Sequence, residues 1–114
     1  MRKKKLENLP SSLLAPVGAW IHEYDVKKKS ATYRYAKWQS KKPVFECLRK
    51  SGLTCHKYIG RVSSTTGLGR EEAVEIAYAA LRNRQELEAI DKCLVSLEKL
   101  LEQLESKYGH LIKL

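Results

Sequence analysis

Apolar and aromatic side chains alternate with polar ones along two stretches in the first half of the chain. From Trp20 to Val26 the alternation has a period of two residues, and residues 32–39 are rich in Tyr and Trp. A period of two is typical of a half-buried strand, and aromatic residues favour strands. The run at residues 27–30 is too charged for a strand interior. The pattern predicts a β-hairpin with its turn at residues 27–30, and a third strand over residues 54–62.

An insert at residues 40–53 interrupts this strand pattern. Pro43 is suited to the first turn of a helix, and Gly52 is suited to the position just after one. We therefore expect a short helical turn from Pro43 through Leu48. A loop with two glycines follows the third strand at residues 63–69.

The second half of the chain predicts one long helix. Residues 70–108 contain neither Gly nor Pro, and Gly109 is a natural stop. An apolar stripe recurs at spacings of three and four, from Ala73, Ile76 and Ala80 through a polar interruption at Asn83 into a Leu-rich segment. Small residues at the start allow another element to approach closely, and the Leu-rich part has the pattern of a coiled-coil seam. The candidate association residues are Leu87, Ile90, Leu94, Leu97, Leu101 and Leu104.

The partner of this seam stays open at the level of sequence. It can be a second copy of the chain, the same chain folded back, or a different protein. In a parallel homodimer most flanking pairs would be acidic–acidic or neutral, so charge does not favour that arrangement.

Together these elements predict an α+β fold, in which a helix packs on a three-stranded antiparallel sheet. A C-terminal amphipathic or coiled-coil helix extends this unit. The predicted division is a basic N-terminal arm at residues 1–18, a sheet-plus-helix domain at 19–84 and a Leu-rich association segment at 85–108. Basic arms of this kind are usually disordered when alone, and we expect the same here.

The charge of +9 is divided unevenly along the chain. Residues 1–61 contain 15 Lys/Arg and 4 Asp/Glu, whereas residues 62–114 contain 7 Lys/Arg and 9 Asp/Glu. Cations interleaved with aromatic residues in the first half favour nucleic acid as the partner. The candidate nucleic-acid-binding residues are His22, Tyr24, Lys27, Lys28, Lys29, Arg34, Lys37, Lys41, Lys42, His56, Lys57, Tyr58 and Arg61.

Other classes of function find little support. The histidines have no Asp or nucleophile in local register, and there is no Gly-rich phosphate loop, so we expect no catalytic residues, no enzyme and no cofactor. Cys47 and Cys55 lack the close pairing of a structural zinc motif, so we expect no metal. The odd cysteine count fits a reducing compartment, and we expect a cytoplasmic protein. The sequence contains no run of about 18 apolar residues, so we expect no membrane span.

Two short stretches carry a family resemblance. Lys57-Tyr58-Ile59-Gly60 ends the last strand, and Glu71-Glu72-Ala73 through Ala77-Tyr78-Ala79-Ala80 opens the helix. This arrangement resembles the DNA-binding domain of plant ethylene-response factors and the arm-site-binding domain of tyrosine recombinases. The chain also resembles small uncharacterised proteins of prokaryotic plasmids and mobile elements. It differs from the DNA-binding domains in its longer insert and in the acidic Glu23 and Asp25 of the first strand.

The resemblance implies a sheet lying in the DNA major groove, with His56 and Tyr58 facing DNA and Ile59 packing on the helix. From it we expect a duplex-DNA-binding protein that acts in transcription regulation or as an accessory factor of a mobile element. Two alternatives stay open. The first is an RNA-binding protein, because an aromatic sheet suits single strands. The second is an adaptor or inhibitor that acts through the C-terminal helix.

Overall fold

A computed structural model of the chain describes residues 1–47, 49, 51–67 and 69–112. Its elements are helix α1 (Arg2–Glu7), a 3₁₀ turn (Ser11–Leu13), strands β1 (Trp20–Lys28), β2 (Ala31–Gln39), β3 (Phe45–Glu46), β4 (Leu53–Thr54) and β5 (His56–Ser64), and helix α2 (Glu72–Ile112). The predicted α+β class is confirmed. Three antiparallel strands form one sheet in the order β1-β2-β5, and a long C-terminal helix accompanies it.

The hairpin of β1 and β2 is longer and tighter than predicted. Its pairing runs without a break from Trp20 opposite Gln39 to Lys28 opposite Ala31, so only two residues form the turn. Lys29, the first of them, has a φ of +35°. The predicted four-residue turn is wrong because charged side chains at the end of a strand can stay in solvent while the backbone keeps its ladder of hydrogen bonds.

The insert forms a second, two-stranded sheet, in which β3 pairs with β4. The predicted helical turn is therefore wrong over Phe45 and Glu46, and its last residue, Leu48, lies outside the described residues. Phe45 is buried, and its ring lies 6.5 Å from the ring of Trp38 in β2. Packing of this aromatic pair outweighs the local helix signal of Pro43.

The two sides of the three-stranded sheet face different surroundings. We call the side that carries Tyr24 and Tyr35 the front face, and the side that carries Glu23 and Ala36 the back face. Helix α2 packs on the back face, where Ala36 is fully buried. Gly60 of β5 permits the contact, because a Cβ there would lie 3.4 Å from Val74 Cγ2 and 3.0 Å from Glu71 Oε2.

The buried stripe of α2 agrees with the predicted one at Ala80 and Leu87 but differs at its start. Val74 and Ala77 are buried there, whereas Ala73 and Ile76 are exposed. The predicted helix bounds are also wrong, since α2 begins at Glu72 and continues through Gly109 to Ile112. Gly109 does not adopt the positive φ by which glycine commonly ends a helix.

The N-terminal segment is folded and not a disordered arm. Helix α1 and the 3₁₀ turn pack along α2 and bury Leu6 and Ala15. The Asn83 side chain donates a hydrogen bond from Nδ2 to the Leu13 carbonyl oxygen at 2.9 Å, and Arg84 donates from Nε to the Ala15 carbonyl oxygen at 2.6 Å. The polar interruption in the helix stripe therefore anchors the N-terminal segment.

Candidate nucleic-acid interface

The front face carries a continuous cluster of aromatic rings across all three strands. We call His22, Tyr24, Tyr33, Tyr35 and Tyr58 the ring cluster. Successive ring centroids are 6.0–6.1 Å apart, from His22 to Tyr24, from Tyr24 to Tyr35, and from Tyr35 to both Tyr33 and Tyr58. Cross-strand aromatic contacts of this kind stabilise a sheet and also fix the orientation of each ring.

Strand register explains why these rings meet. Residues that pair directly across antiparallel strands point to the same side of the sheet. Tyr24 pairs with Tyr35, and Lys37 of the same strand pairs with Tyr58. A register shift between Ala36 and Lys37 places an extra residue in β5, and this lets Gly60 face the helix while Tyr58 stays on the front.

Two lysines lie over the ring cluster. The Lys28 Nζ atom is 5.5 Å from the ring centroid of Tyr33, and the Lys37 Nζ atom is 5.4 Å from that of Tyr24. Such cation–π contacts are weak at exposed sites, so both ammonium groups remain able to bind an anion. None of the described strand residues that the pairing places on the front face is Asp or Glu. The Glu71 carboxylate, which precedes α2, lies at the β5 edge and is bound to Arg61.

The acidic residues of β1 lie on the opposite side and are neutralised there. Arg34 donates from Nε to Glu23 Oε1 at 2.8 Å and from Nη1 to Asp25 Oδ1 at 3.1 Å. Tyr78 of α2 donates its hydroxyl hydrogen to the second carboxylate oxygen of Glu23. These bonds, first that of Tyr78 and then that of Arg34, hold the pKa of Glu23 below its usual value. Because Glu23 and Asp25 lie on the back face, the acidic residues of β1 leave the front face cationic.

Tyr58 is the most exposed member of the ring cluster that can donate from a hydroxyl group. The residue keeps 58% of its accessible surface, yet partial burial raises the pKa of its phenol, and the Glu71 carboxylate raises it further. The phenol is therefore protonated at neutral pH and can donate a hydrogen bond. At the same sheet edge, Arg61 Nη1 lies 3.4 Å from Glu71 Oε1, so this guanidinium already has an anionic partner.

The structure brings only part of the predicted binding set together. Six of the predicted residues share the front face: His22, Tyr24, Lys28, Lys37, His56 and Tyr58. Lys29 lies in the hairpin turn, and Lys41 and Lys42 are exposed just beyond the end of β2. Arg61 pairs with Tyr35 in the register but is bound to Glu71. The remaining three lie on the back face, as the pairing places Lys27, Arg34 and Lys57 there.

Tyr33 and Tyr35 belong to the surface but were missing from the predicted set. Sequence alone left open which side of β2 faces outward, since Arg34, Ala36 and Trp38 form the other side. The two-residue turn pairs Tyr35 with Tyr24 and so places the tyrosines of both strands on one side of the sheet, but only the packing of α2 on the other side turns them outward. Trp20 also ends the front face of β1, and it is 38% exposed.

The predicted association residues divide into two groups. Leu87 is buried and Ile90 is half-buried where α1 packs on α2. There Arg2 Nε lies 2.9 Å from Glu86 Oε1, and Lys3 Nζ lies 2.8 Å from Asp91 Oδ1. The chain itself thus covers this part of the stripe. The remaining residues are exposed, namely Leu94, Leu97, Leu101 and Leu104.

Other kinds of site find no candidate in the part of the chain that the structure describes. No group of three or more His, Cys, Asp or Glu residues there could hold a metal ion. Within the same residues, no helix is both long and apolar enough to cross a bilayer. No family model, curated protein or solved structure matches this chain.

Proposed function

We propose that this protein binds nucleic acid, with DNA as the favoured ligand, through the front face of its sheet. One observation carries the proposal: a ring cluster and two ammonium groups share a sheet face to which the described strand residues contribute no carboxylate. Exposed contiguous patches of this kind usually mark a binding surface. The cations of Lys28 and Lys37 would neutralise phosphates, and the rings would contact bases or sugars.

The wider role rests on the family resemblance and on the chemistry of the chain. We propose a regulator or accessory factor of a mobile element that acts in the cytoplasm, where thiols stay reduced. The described cysteines, Cys47, Cys55 and Cys93, are free. In this role the protein would have no catalytic activity of its own.

The test of the proposal is a salt titration of binding to a labelled oligonucleotide. If about five phosphates are neutralised, the slope of log K against log salt should be about −4 to −5. Replacing Lys28 and Lys37 together by Gln should reduce the magnitude of that slope by about 1.4–1.8, since each phosphate contact contributes about 0.7–0.9.

Two controls make the test specific. The double variant Lys99→Gln, Lys107→Gln changes the formal charge equally but on the distal part of α2, and it should leave the slope unchanged. Arg34→Gln, on the back face, should also leave it unchanged because Arg34 is bound to Glu23 and Asp25. A slope near zero for the natural chain, or equal losses in all variants, would contradict the proposal.

A second candidate function is self-association through the distal half of α2. Leu94, Leu97, Leu101 and Leu104 form an exposed apolar stripe, and Leu97 and Leu101 keep 50% and 64% of their surface. Residues 86–105 contain six acidic and two basic residues, so a phosphate backbone would be repelled. We propose that a second copy covers the stripe, because joining two sheets would increase the apparent affinity for a long nucleic acid.

Sedimentation tests this second proposal directly. The double variant Leu97→Lys, Leu101→Lys should convert an oligomer into a monomer and weaken the binding of long oligonucleotides. Leu87 is buried under α1 and is left unchanged so that the fold survives. A natural chain that sediments as a monomer at tens of micromolar, with a folded double variant of equal affinity, would contradict self-association through the stripe.

A further inference from the structure

The centre of the front face is built mainly from flat rings and has few side chains that distinguish base pairs. Arg and Lys make bidentate contacts with guanine, and Asn and Gln with adenine, in the major groove. On the front face, Gln39 lies at the very end of β2, and Arg61 is bound to Glu71. The positions between them belong to the ring cluster and Lys37.

Rings bind bases most effectively face to face. In a duplex each base is already stacked on both sides by its neighbours, so only its edges are accessible in the grooves. A base that has left the duplex exposes its faces and can stack on Tyr, Trp or His. Tyr58, Trp20 and His22 are exposed aromatic residues of this face, the first two at 58% and 38%.

The lysines of the front face are placed to accompany stacked bases. Lys28 Nζ lies within 5.5–5.8 Å of two ring centroids, those of Tyr33 and Tyr35. An ammonium group over a ring can move aside when a base stacks there, because its side chain is long and flexible. It then meets the phosphate that joins this base to the next one. Cations beside stacking rings are the usual composition of single-strand-binding surfaces.

Resting on the nucleic-acid binding proposed above, we propose that the ligand of the front face is nucleic acid with unpaired bases, stacked on the ring cluster. This departs from the major-groove docking that the family resemblance implies. The unpaired bases can belong to a single strand or to a loop, since both expose the same base faces.

The experiment compares four labelled probes of equal length at equal salt, with the full chain. They are a single DNA strand, the same sequence as RNA, its DNA duplex, and an abasic DNA strand that keeps the phosphates. We expect at least one of the two single strands to bind about 10-fold or more tighter than both the duplex and the abasic strand. Equal or tighter binding of the duplex or of the abasic strand overturns the inference but leaves nucleic-acid binding intact. No binding to any probe overturns both proposals.

Substitutions then locate the stacking. Tyr58→Ala should weaken single-strand binding about 5-fold to 100-fold and leave abasic binding unchanged, since one stacked base is lost. Tyr58→Phe keeps the ring and should restore most of the affinity. His22→Ala is a second variant at an exposed position should Tyr58→Ala unfold, and Tyr108→Ala on α2 is the matched control. Unchanged single-strand affinity in a folded Tyr58→Ala or His22→Ala chain overturns the inference.

Discussion

The two faces of the sheet are made by alternate residues of the same strands, yet they have opposite compositions. The back face meets α2 at the small residues Ala36 and Gly60, and its carboxylates, Glu23 and Asp25, are paired with Arg34. The front face uses large rings and leaves Lys28 and Lys37 without carboxylate partners in the described contacts. One face therefore holds the fold together, while the other is free for recognition, and single substitutions should separate the two roles.

The largest expected effect is on the back face, at Gly60. Gly60→Val places carbon atoms against Val74 and Glu71 and should reduce the free energy of unfolding by about 2–3 kcal/mol, because overpacking forces the helix away from the sheet. Urea unfolding followed by circular dichroism measures this loss. Gly69→Ala is the control, since nothing lies within 4 Å of a Cβ at that position.

A matched change on the front face sharpens the result. Tyr58→Val removes more atoms than Gly60→Val adds, yet Tyr58 is exposed and its loss should alter stability much less. If both variants lose equal stability, the separation of the two faces does not hold.

A smaller effect is expected where Tyr78 joins the helix to the back face. Tyr78→Phe removes a hydrogen bond to the ionised Glu23 and should cost about 1.5 kcal/mol at neutral pH, the lower end of the range for a bond to a charged group, because Tyr78 is half-buried. Because this bond lowers the pKa of Glu23, its contribution is present above the ordinary carboxyl pKa and disappears as pH falls through the lowered value. The difference between the natural chain and the variant should therefore shrink in strong acid.

Urea unfolding at pH 7 and at pH 2 checks this pH dependence. Tyr58→Phe removes a hydroxyl group from the front face and serves as the control, with little effect at either pH. If Tyr78→Phe reduces the free energy of unfolding equally at both pH values, the hydrogen bond to the ionised Glu23 is not the cause of the loss.

The positions of the strands were easier to predict from sequence than the side of each strand that faces solvent. Alternation from Trp20 to Val26 located β1 because period-two patterns depend on local burial alone. The same pattern could not say which side of β2 faces solvent, since Tyr35 and Trp38 are both aromatic and lie on opposite faces. That choice depends on how closely α2 approaches, and the approach is set by Gly60, which is 24 residues distant from Ala36 along the chain.

The errors in the insert and the helix have different origins. Local signals at Pro43 and Gly109 indicated a helical turn and a helix stop. In the insert a contact between distant residues prevails, because Phe45 packs beside Trp38. At Gly109 nothing lies within 4 Å of a Cβ position, and α2 passes through because a glycine costs a helix only about 1 kcal/mol or less. The start of the buried stripe of α2 differs from the predicted one because it follows the contact with the sheet.

The anchoring of the N-terminal segment has a consequence for the order of folding during synthesis. Asn83 bonds to Leu13 across 70 residues, and Arg2 bonds to Glu86 across 84. Residues 2–15 must therefore wait until residues 83–86 have been made, whereas β1 and β2 are neighbours in sequence and can pair early. Until this part of α2 is complete, Leu6 and Ala15 have no surface to pack on. The nascent chain should thus stay protease-sensitive in residues 2–15 long after its hairpin is protected.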